Sequence, residues 1–291
     1  MTFYYKLVAL LKKILPEKLV KKIKAYRREK RIKEYFSINQ GKDFFKDIKV
    51  EDVSFKLALN PYFNAGVDYQ IYKTGKWEPE ISKLIKKFMP AKGVFLDIGA
   101  NIGYHSLFVA SLLKEEGMVY AFEPIPRLAR QLESSVEDNY FHNLKVENSA
   151  LSDKEGEATL SLIDENIGAS SLKEAQDQNL VTEKITVKLK TLNSFLKQFP
   201  RVDLIKIDVE GNEFETLRGG VDVLRKFRPV IIMEFSHLLY ENDYQGKTKE
   251  FVDFLKDLGY RFFLLSEEEI DPTSFLDDGK EQHDILCRVI D

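Results

Sequence analysis

The carboxylates of Asp208 and Glu210 stand two residues apart, just beyond the short apolar run Leu204–Ile207. Glu234 closes a second run, Val230–Phe235, and His237 follows it. Acids and an imidazole gathered at strand ends suit removal of a proton from a hydroxyl as its oxygen attacks an electrophile. His237 titrates nearest neutrality and is chemically the simplest base, although a loop histidine also serves as a helix cap. The acids lack the tight ligand spacing of a metal motif, so no metal is expected. A second constellation lies upstream, where Val94–Ile98 ends in Asp97-Ile98-Gly99-Ala100-Asn101-Ile102-Gly103. Gly99 is free to take a positive φ and bring backbone close to a ligand, and Gly103 lets the next helix pack tightly. Glu123 ends the following run 20 residues beyond Gly103, where a carboxylate accepts hydrogen bonds from ribose hydroxyls. Turn and acid together imply a nucleoside-containing cofactor rather than an ordinary tight turn with a surface glutamate. A dinucleotide fits poorly, because Asn101 stands two residues after Gly99 where its fingerprint needs glycine. Asp97 would also repel a pyrophosphate, whereas it suits the cationic end of S-adenosylmethionine.

The elements that must position these residues alternate between strand and helix. Apolar runs at Val94–Ile98, Val119–Phe122, Leu144–Asn148, Leu204–Ile207 and Val230–Phe235 are separated by amphipathic stretches from Gly103, Arg127, Glu213 and Lys247. Such alternation implies a parallel sheet covered by helices on both faces. Ala158–Ile163 and Lys184–Leu189 read as an inserted antiparallel pair, with Gly168-Ala169-Ser170-Ser171 in a loop over the cleft. Arg261–Leu265 and Ile285–Ile290 have no helix between them, so the last strand is free to pair antiparallel. The expected fold is α/β: a doubly wound, mostly parallel seven-stranded sheet with an inserted β pair and a helical N-terminal extension. The expected division is an extension and linker over 1–75 and a catalytic domain over 76–291.

The extension is amphipathic. Leu7, Leu10, Leu11 and Ile14 share one helical stripe, and Leu19, Ile23 and Tyr26 resume it after Pro16. Residues 1–36 hold 12 Lys/Arg against three acids, leaving residues 37–291 at −12 within a net charge of −3. This basic face suits an anionic membrane surface, or its stripe packs on the domain or on a second copy in a homo-oligomer. Nucleic acid is not expected, since the rest of the chain is acidic. No run approaches the roughly 20 apolar residues of a membrane span. The start lacks signal-peptide features, and the single Cys287 excludes a disulfide framework, so a cytoplasmic protein is expected, peripheral to the membrane if the helices bind it.

The segments Leu96–Tyr104, Phe122-Glu123-Pro124 and Ile205-Lys206-Ile207-Asp208-Val209-Glu210-Gly211-Asn212-Glu213 closely resemble the FkbM family of methyltransferases. Trp77-Glu78-Pro79, Leu217-Arg218-Gly219-Gly220 and Arg228–Glu234 extend the resemblance over roughly residues 75–265. It implies transfer of a methyl group from S-adenosylmethionine to oxygen, often on sugars, polysaccharides or lipid-linked hydroxyls. Carried over by position, Asp97, Gly99, Asn101 and Gly103 shape the methionine pocket and Glu123 binds ribose. Ser149 and Ala150 lie near adenine, Asp208 faces the donor, and Glu78 contributes from the preceding segment. Asp208, Glu210, Glu234 and His237 remain the candidates for catalysis. A nucleotide-sugar- or NAD-binding oxidoreductase, or a non-catalytic scaffold at the membrane, are the alternatives.

Overall fold

The computed structural model describes residues 44–60, 66–163, 181–235, 244–277 and 283–290, together with Tyr26 and Lys30. The N-terminal amphipathic stripe (apart from Tyr26 and Lys30, both helical and exposed), the Gly168–Ser171 loop and His237 lie outside the described residues.

The first described element is a hairpin, β1 (Phe44–Val50) and β2 (Val53–Leu59), turning at Glu51-Asp52. Helices α1 (Val67–Thr74) and α2 (Pro79–Phe88) lead into the central strand β3 (Val94–Ile98). Then come α3 (Tyr104–Leu113), β4 (Met118–Phe122), α4 (Pro126–Asp138) and β5 (Leu144–Glu147). A separate small sheet forms from β6 (Ala150–Leu151), β7 (Gly156–Ile163) and β8 (Val181–Lys190), the last two antiparallel as the sequence implies. The main sheet resumes with β9 (Leu204–Ile207), α5 (Glu213–Arg218), α6 (Val221–Phe227), β10 (Val230–Phe235) and α7 (Tyr244–Asp257). It ends with β11 (Tyr260–Leu264), β12 (Glu269–Ile270) and β13 (His283–Val289).

The main sheet has the order β12-β11-β13-β10-β9-β3-β4-β5. Strands β10, β9, β3, β4 and β5 run parallel, while β13 enters antiparallel between β10 and β11. The sheet therefore has eight strands rather than seven, the extra one being the two-residue edge strand β12. Every residue of β3 is buried, as a strand covered on both faces requires. Its side chains divide by the period of two: Phe95 enters a core formed with α2, α3, α4 and the hairpin, while Val94, Leu96 and Ile98 enter one formed with α5, α6 and α7.

The hairpin lies in a segment whose sequence shows only mixed character. Ile48, Phe55, Leu57 and Leu59 alternate into the first core, and the Ala58 N–H donates to Ser135 Oγ of α4 at 2.9 Å. Buried Asp68 of α1 accepts from Asn60 N at 2.5 Å and from Gln131 Nε2 at 2.8 Å, tying hairpin, α1 and α4 together.

Candidate active site

Strand order reverses between β3 and β9: the chain winds outward through β4 and β5, then returns to lie on the other side of β3. In such sheets the crevice beyond the carboxyl ends of the two strands at the reversal receives the ligand. Here those ends are Ile98-Gly99 and Ile207-Asp208, joined by Asp208 N–H donating to the Ile98 carbonyl at 3.0 Å. The approach is so close that a Cβ at Gly99, whose φ is +79°, would stand 1.9 Å from the Asp208 carbonyl oxygen. Asn101 holds φ +55°, which costs a side-chain-bearing residue about 1–2 kcal/mol. Its N–H thereby donates to Glu123 Oε2 at 2.8 Å, and Ile125 N–H donates to Oε1 at 2.8 Å.

Glu123 is buried and lines a cleft, open to solvent, of about 620 Å³. Burial pushes its carboxyl up to about 7 against those two amides, with the charges of Asp97 and Asp208 adding to the rise. Phe122, Ile125, Leu128 and Leu160 give the cleft an apolar wall. Ser149 and Ala150 line it too, and Ser149 Oγ is buried without a hydrogen-bond partner among the described residues. A ligand in this cleft meets an apolar wall, the Ser149 hydroxyl and the carboxylates of Glu123, Asp208 and Glu210.

A second cavity of about 340 Å³ lies on the other side of the glycine turn, lined by Trp77, Asn101, His105, Lys206 and Asp208 among others. Lys206 is 7% exposed and projects from β9 to the same face as its sheet neighbour Asp97. Burial alone would strip its charge, but Asp208, Glu78 and Asp97 outweigh that and hold it above the usual lysine value. Its Nζ lies 3.3 Å from Asp208 Oδ2. Glu78 sits at the N-terminus of α2 with φ +40°. Burial pushes its carboxyl up, yet a hydrogen bond from His105, the Lys206 charge and the Trp77 side chain bring it down to about 2.

Beyond Asp208, three acids converge. Asp208, Glu210 and Glu234 each offer a carboxylate oxygen within 4.8 Å of the others, a spacing that suits joint ligation of a cation. Glu210, at φ +51°, precedes Gly211 at φ +93°, and the chain turns there as the sequence implies. Burial and the charges of Asp208 and Glu210 push Glu234 up to about 9. Asp284, directly across from Glu234 on β13, rises to about 6 through burial and the charges of Glu78 and Asp208. Glu234, Asp284, Lys206 and Glu78 line a smaller cavity of about 210 Å³.

The structure thus gathers Gly99, Asn101, Glu123, Ser149, Ala150, Asp208 and Glu210 around the first cleft and Glu78, Asp208 and Glu234 around its neighbour. Asp97 lies beneath the turn, accepting from Ser106 Oγ at 2.5 Å, and Gly103 packs on Leu132, which a Cβ would strike at 2.1 Å. Both build the turn from below and line none of these three cavities. Sequence reasoning gives no role to Asp284 or to Glu213, whose buried carboxylate accepts from Gly211 N at 3.0 Å, while it reads His105 equally as a ligand contact or as packing and Lys206 as the partner of a neighbouring acid. For Lys206 the signal was a charge inside an otherwise apolar strand. Asp284 carried none, because its place depends on the register of β13 against β10.

Compared with known proteins, residues 97–262 match the model of the methyltransferase FkbM domain, more than half of the chain. AMB antimetabolite synthetase AmbE of Pseudomonas aeruginosa is 27% identical over 221 residues, 64% of this chain and 10% of that protein. Hexuronic acid methyltransferase AglP of Haloferax volcanii is 26% identical over 155 residues, 53% of this chain and 61% of that one. The chain thus spans a tenth of the first and about three fifths of the second. A solved methyltransferase FkbM from Methylobacillus flagellatus superposes with a TM-score of 0.44 at 14% identity, covering 68% of this chain and 44% of that one.

Proposed function

The chain belongs to the FkbM methyltransferase family, and on that premise we propose that it moves a methyl group from S-adenosylmethionine to a hydroxyl of a sugar, polysaccharide or glycolipid. The residues present fit the donor. Glu123 has the position to bind ribose hydroxyls, the Ser149 hydroxyl, without a partner among the described residues, offers adenine a hydrogen bond, and Glu78 and Asp208 suit the cationic methionine end. When bound, the donor supplies a methyl group already activated on a sulfonium.

The chain's own contribution is then alignment and proton removal, worth roughly 7–11 kcal/mol and about 10²–10⁴-fold respectively in favourable cases. Asp208, Glu210 and Glu234 face the place where an acceptor meets the donor. A carboxyl held up to about 9, as Glu234 is, keeps its proton at neutral pH and donates a hydrogen bond to an acceptor oxygen instead of removing a proton. Asp208 is held in an ion pair with Lys206.

The observation that carries this reading is the meeting of Glu123, Ser149 and Asp208 in one cleft at the strand reversal. AglP, named for a hexuronic acid, supports a saccharide acceptor. The test is transfer of tritiated methyl from the donor to methyl glycosides of hexoses and of hexuronic acids. Label in ether linkage to the saccharide is expected, and label in ester linkage alone would place the methyl on a carboxylate and contradict a hydroxyl acceptor. Transfer only to amines, thiols or RNA would contradict it. The basic segment 1–36 is proposed to rest on an anionic membrane surface while the acceptor is modified; equal sedimentation with phosphatidylserine vesicles of chains with and without it would refute that. No described helix is long and apolar enough to cross a membrane.

A further inference from the structure

His105 is the second residue of α3 and only 3% exposed. Its Nε2 lies 3.0 Å from Glu78 Oε2, while its Nδ1 is buried and has no hydrogen-bond partner among the described residues. A histidine that serves packing alone ordinarily satisfies both nitrogens when buried. This one engages a single nitrogen, with a carboxylate, and the residue is among those lining the 340 Å³ cavity, with Gly99, Asn101, Lys206 and Asp208. Because an ionised carboxylate only accepts, Nε2 must carry the proton of the neutral ring and the lone pair must sit on Nδ1. Glu78 is itself fixed: the strained turn ahead of α2 presents it, and the Trp77 side chain bonds it from beside.

Resting on the methyl-transfer reading above, we propose that Glu78 and His105 form a dyad whose Nδ1 receives the acceptor's proton. The acceptor oxygen bonds to the methyl carbon as the carbon–sulfur bond breaks, and that bond's electron pair stays on sulfur. The hydroxyl proton passes to Nδ1, and the resulting imidazolium is balanced by Glu78 at Nε2. The other charged groups are Lys206 of β9 and Asp208 just beyond it, which line the same cavity, and Asp284 of β13, which with Glu78 lines the adjoining cavity of about 210 Å³. Glu234, which keeps its proton, and Asp208, which is ion-paired, then bind the acceptor's oxygens while the dyad handles the proton.

The test needs no known acceptor. Full-length ¹⁵N-labelled protein is saturated with [methyl-¹³C]S-adenosylmethionine at pH 7.5, and the His105 imidazole signals are assigned by their loss in H105Q. The expected result is a protonated Nε2, an unprotonated Nδ1, and cross-relaxation between the donor's methyl protons and the His105 ring. The E78Q protein should lose the single fixed tautomer. H105Q should bind the donor within about 3-fold of the parent, showing the fold intact, and lower turnover by roughly 10²–10⁴-fold on any saccharide the parent methylates. A proton on Nδ1 before reaction, or no contact between ring and donor methyl in the saturated complex, overturns the dyad alone. Failure of the parent protein to bind the donor overturns the methyl-transfer reading and the dyad with it, whereas the tautomer is legible in donor-free protein either way.

Discussion

Replacing Gly99 by alanine separates backbone strain from the close approach on which the cleft depends. Gly75 is the control: its φ of +67° resembles the +79° of Gly99, but a Cβ there meets nothing within 4 Å. G75A should therefore lose only the cost of a left-handed alanine, about 1–2 kcal/mol. At roughly 2–4 °C per kcal/mol for a chain of this size, its melting temperature should fall by about 2–8 °C. G99A bears the same cost and also sets a methyl group 1.9 Å from the Asp208 carbonyl oxygen, backbone that cannot rotate away. Overpacking of this kind adds about 1–3 kcal/mol, so G99A should melt roughly 2–12 °C below G75A. The displaced Asp208 should also weaken binding of S-adenosylhomocysteine at least tenfold, while G75A binds as the parent does. Thermal melts and calorimetry of the two proteins side by side give the answer. Equal melting temperatures together with parental binding in G99A would refute the reasoning.

Three further outcomes follow from the site. Burial holds Glu123 up to about 7 against a free value of 4.5, so the folded state keeps a proton that the unfolded chain releases. Its stabilising contribution is full below pH 4.5 and is lost as pH rises through 7, a change on the order of 3 kcal/mol. Donor-free protein should therefore melt lower at pH 8 than at pH 5, and E123Q should show a shallower slope; an unchanged slope would exclude Glu123 as a source. S149A removes a hydroxyl with no partner in the protein, so it should leave donor-free melting within about 2 °C while weakening S-adenosylhomocysteine roughly 5- to 10-fold by calorimetry. K206M leaves Asp208, Glu78 and Asp97 beside no cation and should cost about 3–5 kcal/mol in urea unfolding; a loss below about 1 kcal/mol would show that these acids need no counter-charge.

Much of the fold could be read from the sequence because parallel strands buried on both faces leave continuous apolar runs, as Val94–Ile98 and Val230–Phe235 do. The hairpin was harder. Phe44, Lys46, Ile48 and Val50 alternate with period two or nearly so, but charged residues interrupt the pattern and the strands pack on helices far along the chain. Helix α6 was obscured by Gly219-Gly220, which reads as a break but ends α5 against Ser152 and admits Leu192. Within the site, local spacing exposes whatever lies on one turn: Gly99, Asn101 and the Asp208–Glu210 pair. Glu234 converges on that pair, and Asp284 on Glu234, only through strand registers set by the whole sheet. His105 shows the same limit, since its partner Glu78 lies 27 residues earlier and meets it through the packing of α2 on α3.

The central claim, that the Gly99 turn and Glu123 hold the adenosyl group of a methyl donor, is tested most directly by calorimetry of the full chain with S-adenosylmethionine, S-adenosylhomocysteine and NAD. Stoichiometric binding of both adenosyl compounds, abolished in E123A, with no heat from NAD is the expected result. Binding of NAD without S-adenosylmethionine, or of none of the three, would contradict it.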